Sequence, residues 1–283
     1  MSESETIITA ALTGGVHDKS YNEALPEQPD EIIEAALAAR EAGAAIVHCH
    51  ARMPNGDRTC DPDIFREIHE GITSKSDVIV QLTTGGGLGL SVEERMSAIA
   101  LEPEMASLNM GLMNFIFQGK EHYFANMRSD IEEFAGEMKD RGIRPECEVY
   151  NISMIDEVAH LIDKGLLEAP YVINFVLDTP AQGGLAGTAE NLVDMHRRLR
   201  DQLDMDDTRV NVTSCGTTQN PMTATAMAMG LNVRVGMEDC IFYREKELVE
   251  TNAQLVSRTV RIAEELNVEP ASPGRARELL GIG

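Results

Sequence analysis

Short apolar runs recur eight times along this chain, and a stretch with helical periodicity follows each of them. No other feature constrains the fold as strongly. Short runs rich in Val, Ile and Leu that alternate with amphipathic segments read as β-α units laid around a parallel sheet. The pattern predicts strands over Thr6–Leu12, Ala45–His50, Val78–Thr83, Met105–Asn109, Arg144–Val149, Tyr171–Val176, Arg209–Ser214 and Asn232–Val235. It predicts helices over Asp30–Ala42, Asp61–Thr73, Ser91–Ala100, Ser129–Arg141, Met154–Lys164, Thr188–Leu203, Pro221–Met229 and Lys246–Leu266, with a short terminal helix over Ser272–Leu280. Local chemistry supports several starts. Pro62 suits a first helical turn, and Ser91-Val-Glu-Glu94 is close to a capping box.

Eight such repeats with no Pro- or Gly-rich linker between them point to one (β/α)8 barrel, the TIM barrel, over residues 1–283. The alternative is a doubly wound open sheet. Against it, the first strand is not followed by G-x-G-x-x-G. Two connections exceed what a plain barrel needs. They are Gly15–Gln28 and Gly111–Met127, the second carrying Phe115, Phe117, Tyr123 and Phe124. Both follow strands, on the face where barrel enzymes place their sites. The aromatic loop around Phe115 and Phe117 is also a candidate subunit contact.

Charge narrows the partners. Forty-seven acidic residues against 24 basic ones leave −23, a surface that repels phosphate backbones and argues against nucleic acid. An ordinary acidic surface and one suited to high salt, where carboxylate repulsion is screened, both fit. The start Met1-Ser2-Glu3-Ser4-Glu5 is the opposite of a basic signal peptide, and no stretch is long and apolar enough to span a bilayer. The expectation is a cytoplasmic protein without membrane contact. The five cysteines, Cys49, Cys60, Cys147, Cys215 and Cys240, form no C-x-x-C. That argues against a disulfide framework and a cysteine metal site.

The ends of the predicted strands carry the chemistry. In Val47-His48-Cys49-His50, residues i and i+2 of a strand share a face, so the two imidazoles could bind one metal ion. They could instead be two polar residues bonded to backbone. Glu238 follows the eighth strand, which flanks the first in a closed barrel as the second does, so its carboxylate can approach the pair as a third ligand. Two histidines, one carboxylate and an open position suit a catalytic zinc that polarises a carbonyl. Arg234 and Asp239 read as a pair, either structural or a base that removes a proton α to a bound carbonyl. Thr83-Thr84-Gly85-Gly86-Gly87 offers backbone N–H groups to an anion and lacks the Lys of a P-loop. Ser107 and Asn109 share a face on the next strand and could bond the same carboxylate. His17 and His122 lie in mouth loops, while His69, His160 and His196 fall on predicted helices.

Taken together, Thr9-Ala-Ala-Leu-Thr-Gly14, His48-Cys-His-Ala-Arg52, Gln81-Leu-Thr-Thr-Gly-Gly86, Pro103-Glu-Met-Ala-Ser-Leu-Asn109, Pro145-Glu-Cys-Glu-Val-Tyr150 and Arg234-Val-Gly-Met-Glu-Asp239 resemble the β-keto acid cleavage enzymes over nearly the whole chain. The resemblance implies a zinc-dependent barrel that condenses a β-keto acid with acetyl-CoA, giving acetoacetate and a new acyl-CoA. It implies zinc ligands at His48, His50 and Glu238, and a deprotonating pair at Arg234 and Asp239. It implies substrate-carboxylate contacts at Thr83, Gly86, Ser107 and Asn109, an inward acid at Glu148, and a tetramer. Members acting on an amino-substituted keto acid resemble one another in a Glu where this chain has Val16, so the distal group of the substrate is expected to differ. Residue types and spacing alone reach metal-assisted enolate chemistry. They leave open a zinc-dependent oxo-acid aldolase or lyase that does not use CoA, and a non-catalytic barrel that binds metal or carboxylate.

Overall fold

A computed structural model describes residues 4–87, 89–117 and 120–283, and leaves the side chains of residues 116, 117 and 120 undescribed. The acidic start Met1–Glu3 and the contact expected at the Phe117 side chain therefore lie outside the described residues.

Eight parallel strands close into a barrel. They are β1 (Ile8–Ala11), β2 (Ile46–Cys49), β3 (Ile79–Leu82), β4 (Met105–Asn109), β5 (Arg144–Val149), β6 (Tyr171–Leu177), β7 (Thr208–Ser214) and β8 (Asn232–Val235). Each pairs with its sequence neighbour, and β8 pairs with β1 to close the ring. The crossovers carry helices α1 (Pro29–Glu41), α2 (Pro62–Thr73), α3 (Val92–Met96), α4 (Arg128–Asp140), α5 (Met154–Asp163), α6 (Ala189–Arg200), α7 (Gln219–Ala228) and α8 (Asn252–Glu265), and α9 (Pro273–Leu280) ends the chain. Among the described residues no helix is long and apolar enough to cross a membrane.

Alternation along each strand divides the molecule. Outward residues such as Ile8, Ala10, Val47, Cys49, Val80, Leu82, Ala106 and Leu108 pack with the helices in one large apolar cluster. At the floor of the barrel Ile46, Ile79, Met105 and Val172 form a second cluster, covered by Ala276 and Leu280 of α9. Above that floor the inward positions turn polar. Thr9, Gln81, Ser107, Glu146, Asn174, Asn211 and Arg234 are all buried there.

The TIM-barrel expectation holds, and element ends agree within three residues except at four places. The predicted strand Thr6–Leu12 is divided, because Ser4–Thr6 pairs with Val268–Pro270 beneath the barrel and β1 begins at Ile8. The helix expected over Ser91–Ala100 stops at Met96 and gives way to a tighter turn over Ile99–Leu101. Its Ser91–Glu94 capping box is present, and Pro103 disfavours helix in the residue before it. The long connection 111–127 contains a β-hairpin, Met113–Phe117 with Lys120–Phe124, which also pairs with Ala181–Gln182. The helix expected from Lys246 begins at Asn252. The segment before it forms a small hairpin, Phe242–Arg244 with Glu247–Leu248. A tertiary tie decides this: Asn22 Nδ2 donates to Val249 O at 2.8 Å, and Thr251 then caps α8 by accepting from Gln254 N.

Candidate active site

Strand order brings distant residues to one mouth. β1 lies between β2 and β8, with Arg234 beside Thr9 and His48 beside Ala11 in register. After β8 the chain must fold over the end of β1. Gly236 makes this possible at φ +148, since a Cβ there would stand 2.0 Å from Ala11 O. Glu238 N then donates to Ala11 O at 3.2 Å. The Glu238 side chain lies against Gly14, where a Cβ would come within 2.3 Å of Glu238 Cγ.

The three expected metal ligands meet. One ligand atom from each of His48, His50 and Glu238 lies within 4.8 Å of the others. Glu238 Oε1 is 3.4 Å from His50 Nε2 and 3.7 Å from His48 Nε2. Glu238 Oε2 and His50 Nδ1 are buried without a hydrogen-bond partner. A buried carboxylate oxygen without a partner is costly unless a cation sits against it. Two imidazoles and one carboxylate suit zinc or a similar divalent ion, so these residues fit the metal that the resemblance implies.

Arg234 stands beside this cluster and serves three carboxylates. Its guanidinium donates to Asp239 through Nε at 2.9 Å and Nη2 at 3.0 Å, to Glu238 through Nη2 at 2.5 Å, and to Glu148 through Nη1 at 3.3 Å. One buried positive charge cannot hold three carboxylates equally. Burial pushes Asp239 up to about 6, with Arg234 opposing and Glu238 adding to the rise. Burial pushes Glu148 further, to about 8. Burial also acts on Glu238, but Arg234 and the two histidines outweigh it and hold that carboxyl well below its ordinary range. The site thus contains a fixed anion beside the histidines and a second carboxylate poised to take up a proton near neutrality.

A cleft opens above these groups. Val16, His48, His50, Thr83, Asn109, Glu148, Arg234, Glu238 and Asp239 line it, as does His17, while His122 does not. Gly86 and Ser107 do not line it either. Gly86 is turned towards Cys60 and Leu90. Ser107 Oγ accepts from Thr84 N at 3.2 Å, so it supports the glycine-rich loop from beneath. Arg95 of α3 holds the same loop through Thr84 O at 2.6 Å and bonds Asn126 Oδ1 at 2.5 Å, with its guanidinium over Phe124. Tyr150 Oη donates to Asn109 Oδ1 at 2.8 Å, which leaves the Asn109 amide N–H free to face the cleft.

Several lining residues escaped the sequence reading. Arg58 comes from the hairpin Ala51–Arg52 with Arg58–Thr59, and it approaches Gly15 and Gly87. Thr179, Pro180 and Cys215 follow β6 and β7. None carries a motif. Position just beyond a strand end is the signal that marks Thr179, Pro180 and Cys215. Phe115 and Phe124 of the long hairpin form part of the wall.

Comparison with known proteins identifies the family and the fold. A profile of the beta-keto acid cleavage enzyme family matches residues 5–282. The chain is 36% identical over 277 residues to a 3-keto-5-aminohexanoate cleavage enzyme of Acetoanaerobium sticklandii, covering 98% of each chain. It is 36% identical over 298 residues to a 3,5-dioxohexanoate:acetyl-CoA acetone transferase of Paraburkholderia graminis, covering 98% of this chain and 95% of that one. Among solved structures, apo ObcA superposes with a TM-score of 0.78 at 20% identity, over 92% of this chain and 66% of that one, a likeness of fold. On a match that spans nearly its full length, the chain belongs to the β-keto acid cleavage enzyme family.

Proposed function

We propose that this barrel is a β-keto acid:acetyl-CoA C-acetyltransferase, and that it works with zinc held by His48, His50 and Glu238. One observation carries the reading: Asp239, gripped on both oxygens by Arg234, faces the same cleft as the His48-His50-Glu238 cluster. Relatives named as acetyl-CoA-dependent transferases of β-keto acids support it.

When bound, the cation would supply a Lewis acid that makes the proton between keto and carboxylate groups more acidic. The chain's own residues do the rest. Thr83, on a loop shaped by Gly86 and Ser107, and Asn109, at the end of β4, hold the substrate carboxylate. Asp239 takes the C2 proton. The C2 carbanion attacks the acetyl carbonyl of acetyl-CoA and forms a C–C bond. The CoA thiolate then moves to the keto carbon of the substrate, and the original C2–C3 bond breaks. Asp239 returns its proton. The balance is R–CO–CH2–COO⁻ plus CH3–CO–SCoA giving R–CO–SCoA plus acetoacetate. Arg234 orients Asp239 and keeps it anionic between turnovers.

Val16 sits on the cleft wall with Phe115 and Phe124. An ammonium facing Val16 would lose hydration and gain no partner, so the substrate tail is neutral or apolar, or a quaternary cation met by the aromatic rings. The protein acts as one domain in the cytoplasm and as a homo-oligomer, a tetramer on the family resemblance. The test is a panel of β-keto acids, 3-keto-5-aminohexanoate and dehydrocarnitine among them, assayed for acetoacetate with and without acetyl-CoA and with stoichiometric zinc. Acetoacetate that forms only with acetyl-CoA supports the transferase. Cleavage that proceeds without it refutes the transferase.

A further inference from the structure

A typical barrel fills its interior with layers of branched apolar side chains. Here a polar column runs across the lumen just above the floor, and one end of it touches a metal ligand. His48 Nδ1 lies 2.7 Å from Gln81 Oε1, in register across β2 and β3. Both residues are buried, at 1% and 0% exposure, so water cannot replace either partner. The carboxylate of Glu146 faces the other side of the Gln81 amide. Gln81 Nε2 is buried and has no partner in full hydrogen-bond geometry. Glu146 accepts from Asn211 Nδ2 at 3.0 Å on Oε1 and faces Asn174 Nδ2 at 3.5 Å on Oε2. Asn174 Oδ1 in turn accepts from Thr213 Oγ1 at 2.9 Å.

This chain of contacts has one consistent direction. Asn211 and Asn174 use the Glu146 oxygens as acceptors. A third neighbour of that carboxylate must therefore offer an N–H, which is the Gln81 amide nitrogen. That choice turns the Gln81 carbonyl to His48. A carbonyl only accepts, so His48 Nδ1 must carry the proton. The Nε2 lone pair is then the one left for a metal, and Nε2 is the atom that faces Glu238. Burial raises the Glu146 carboxyl; with that carboxyl ionised, the reverse amide orientation would set the Gln81 oxygen against it, two acceptors with no proton between them.

We propose that Gln81 is a positioning residue for the metal site: it fixes the tautomer and ring orientation of His48, and Glu146, anchored by Asn211 and Asn174, fixes Gln81. The inference rests on the metal reading given above. It extends that reading to a residue from β3 and a carboxylate from β5, neither of which lines the cleft. Partners that orient a ligating histidine in this way typically contribute about 10- to 100-fold in metal affinity.

Two measurements test it. The first uses the wild-type metal-free protein at pH 8, where imidazoles are neutral. Nitrogen-15 NMR of histidine-labelled protein, with His48 assigned by its loss in His48→Asn, is expected to show the Nδ1–H tautomer. A dominant Nε2–H tautomer overturns the proposal, and this readout needs neither metal nor a variant of Gln81. The second is zinc affinity by chelator competition. Gln81→Met, close in shape but without an acceptor, is expected to bind about 10- to 100-fold more weakly. The double exchange of Gln81→Glu with Glu146→Gln keeps an acceptor against His48 and an amide against its neighbour, so it is expected to bind within a few-fold of wild type. Gln81→Met with a lowered melting temperature but unchanged zinc affinity shows a merely structural role and overturns the proposal. If wild type itself binds no zinc, the metal reading fails, and the tautomer measurement still decides the role of Gln81.

Discussion

On the outward face of the barrel strands Val47, Cys49, Val80 and Leu82 pack against helices in an apolar layer. On the inward face of the same strands stand His48 and Gln81, opposite Glu146, Asn174, Asn211 and Arg234. The two faces are equally buried and are separated by one residue in the sequence. The outer layer gains stability from removing apolar area from water, and any well-fitting hydrophobe serves it. The inner column gains nothing of the kind. Most of its groups are tolerable only because a named neighbour satisfies them, and the orphaned Glu238 Oε2 is left beside the histidines, where a cation would serve it. Stability therefore resides on one face and chemistry on the other.

That division can be broken by experiment. The largest effect is expected at the mouth. Asp239→Asn keeps size and zinc but removes the base, so turnover should fall by about 10²- to 10⁴-fold or more, with the unfolding free energy nearly unchanged. Deuterium exchange at C2 of the substrate measures the step directly, and normal exchange would remove Asp239 from it. His48→Ala and His50→Ala should each abolish stoichiometric zinc, read by metal analysis. On the outer face Phe65 is fully buried, and Phe65→Ala should cost about 3–5 kcal/mol in denaturant unfolding. The folded fraction should still bind zinc with wild-type affinity. A large loss of zinc in that variant would show that the two faces are not separable.

Next comes Glu148, where the inner face should work against stability. Its carboxyl is raised from an ordinary 4.5 to about 8, chiefly by burial. The folded state therefore holds this proton more tightly than the unfolded one. The resulting contribution favours folding below about pH 4.5 and is lost as pH rises through about 8. In the metal-free protein Glu148→Gln should raise the melting temperature at pH 8, on the order of 5 °C, and change it little at pH 4.5. An equal shift at both values would mean that charge burial is not the cause. The smallest effect is at the wall. Val16→Glu should move the kcat/KM ratio towards 3-keto-5-aminohexanoate by about tenfold, roughly 1.4 kcal/mol. A wild type that already prefers that amino compound would remove Val16 from selectivity.

Much of the fold was legible in the sequence. Periodicity gave the eight strands and most helix starts, because a two-residue alternation and a 3.6-residue face are properties of local sequence. The expectation of a loop over 111–127 misses the sheet of Met113–Phe117 with Lys120–Phe124, whose third strand, Ala181–Gln182, lies far away in the chain. The hairpin before α8 was read as helix for a similar reason: Asn22 holds it from across the molecule. For the site, His48 and His50 stand out at i and i+2. Barrel closure, which sets β8 near β2, points to Glu238, and it lies beside the histidines; Asp239 is expected as the partner of Arg234, and the two are paired. Of the expected substrate contacts, Gly86 lies within the loop and turns towards Cys60 and Leu90, and Ser107 lies beneath the loop; neither lines the cleft.

The sequence by itself determined a repeating β-α chain, its family and the residue types able to hold a cation and take up a proton. The first and last of these are matters of periodicity and spacing, and the family is a matter of motif resemblance; all survive without coordinates. Only the tertiary structure decided that one guanidinium serves three carboxylates, that Arg58 reaches the cleft, and that Gln81 and Glu146 stand behind His48. These contacts join strands far apart in the chain, and their energies depend on burial and on distances of a few ångströms, which no local pattern records.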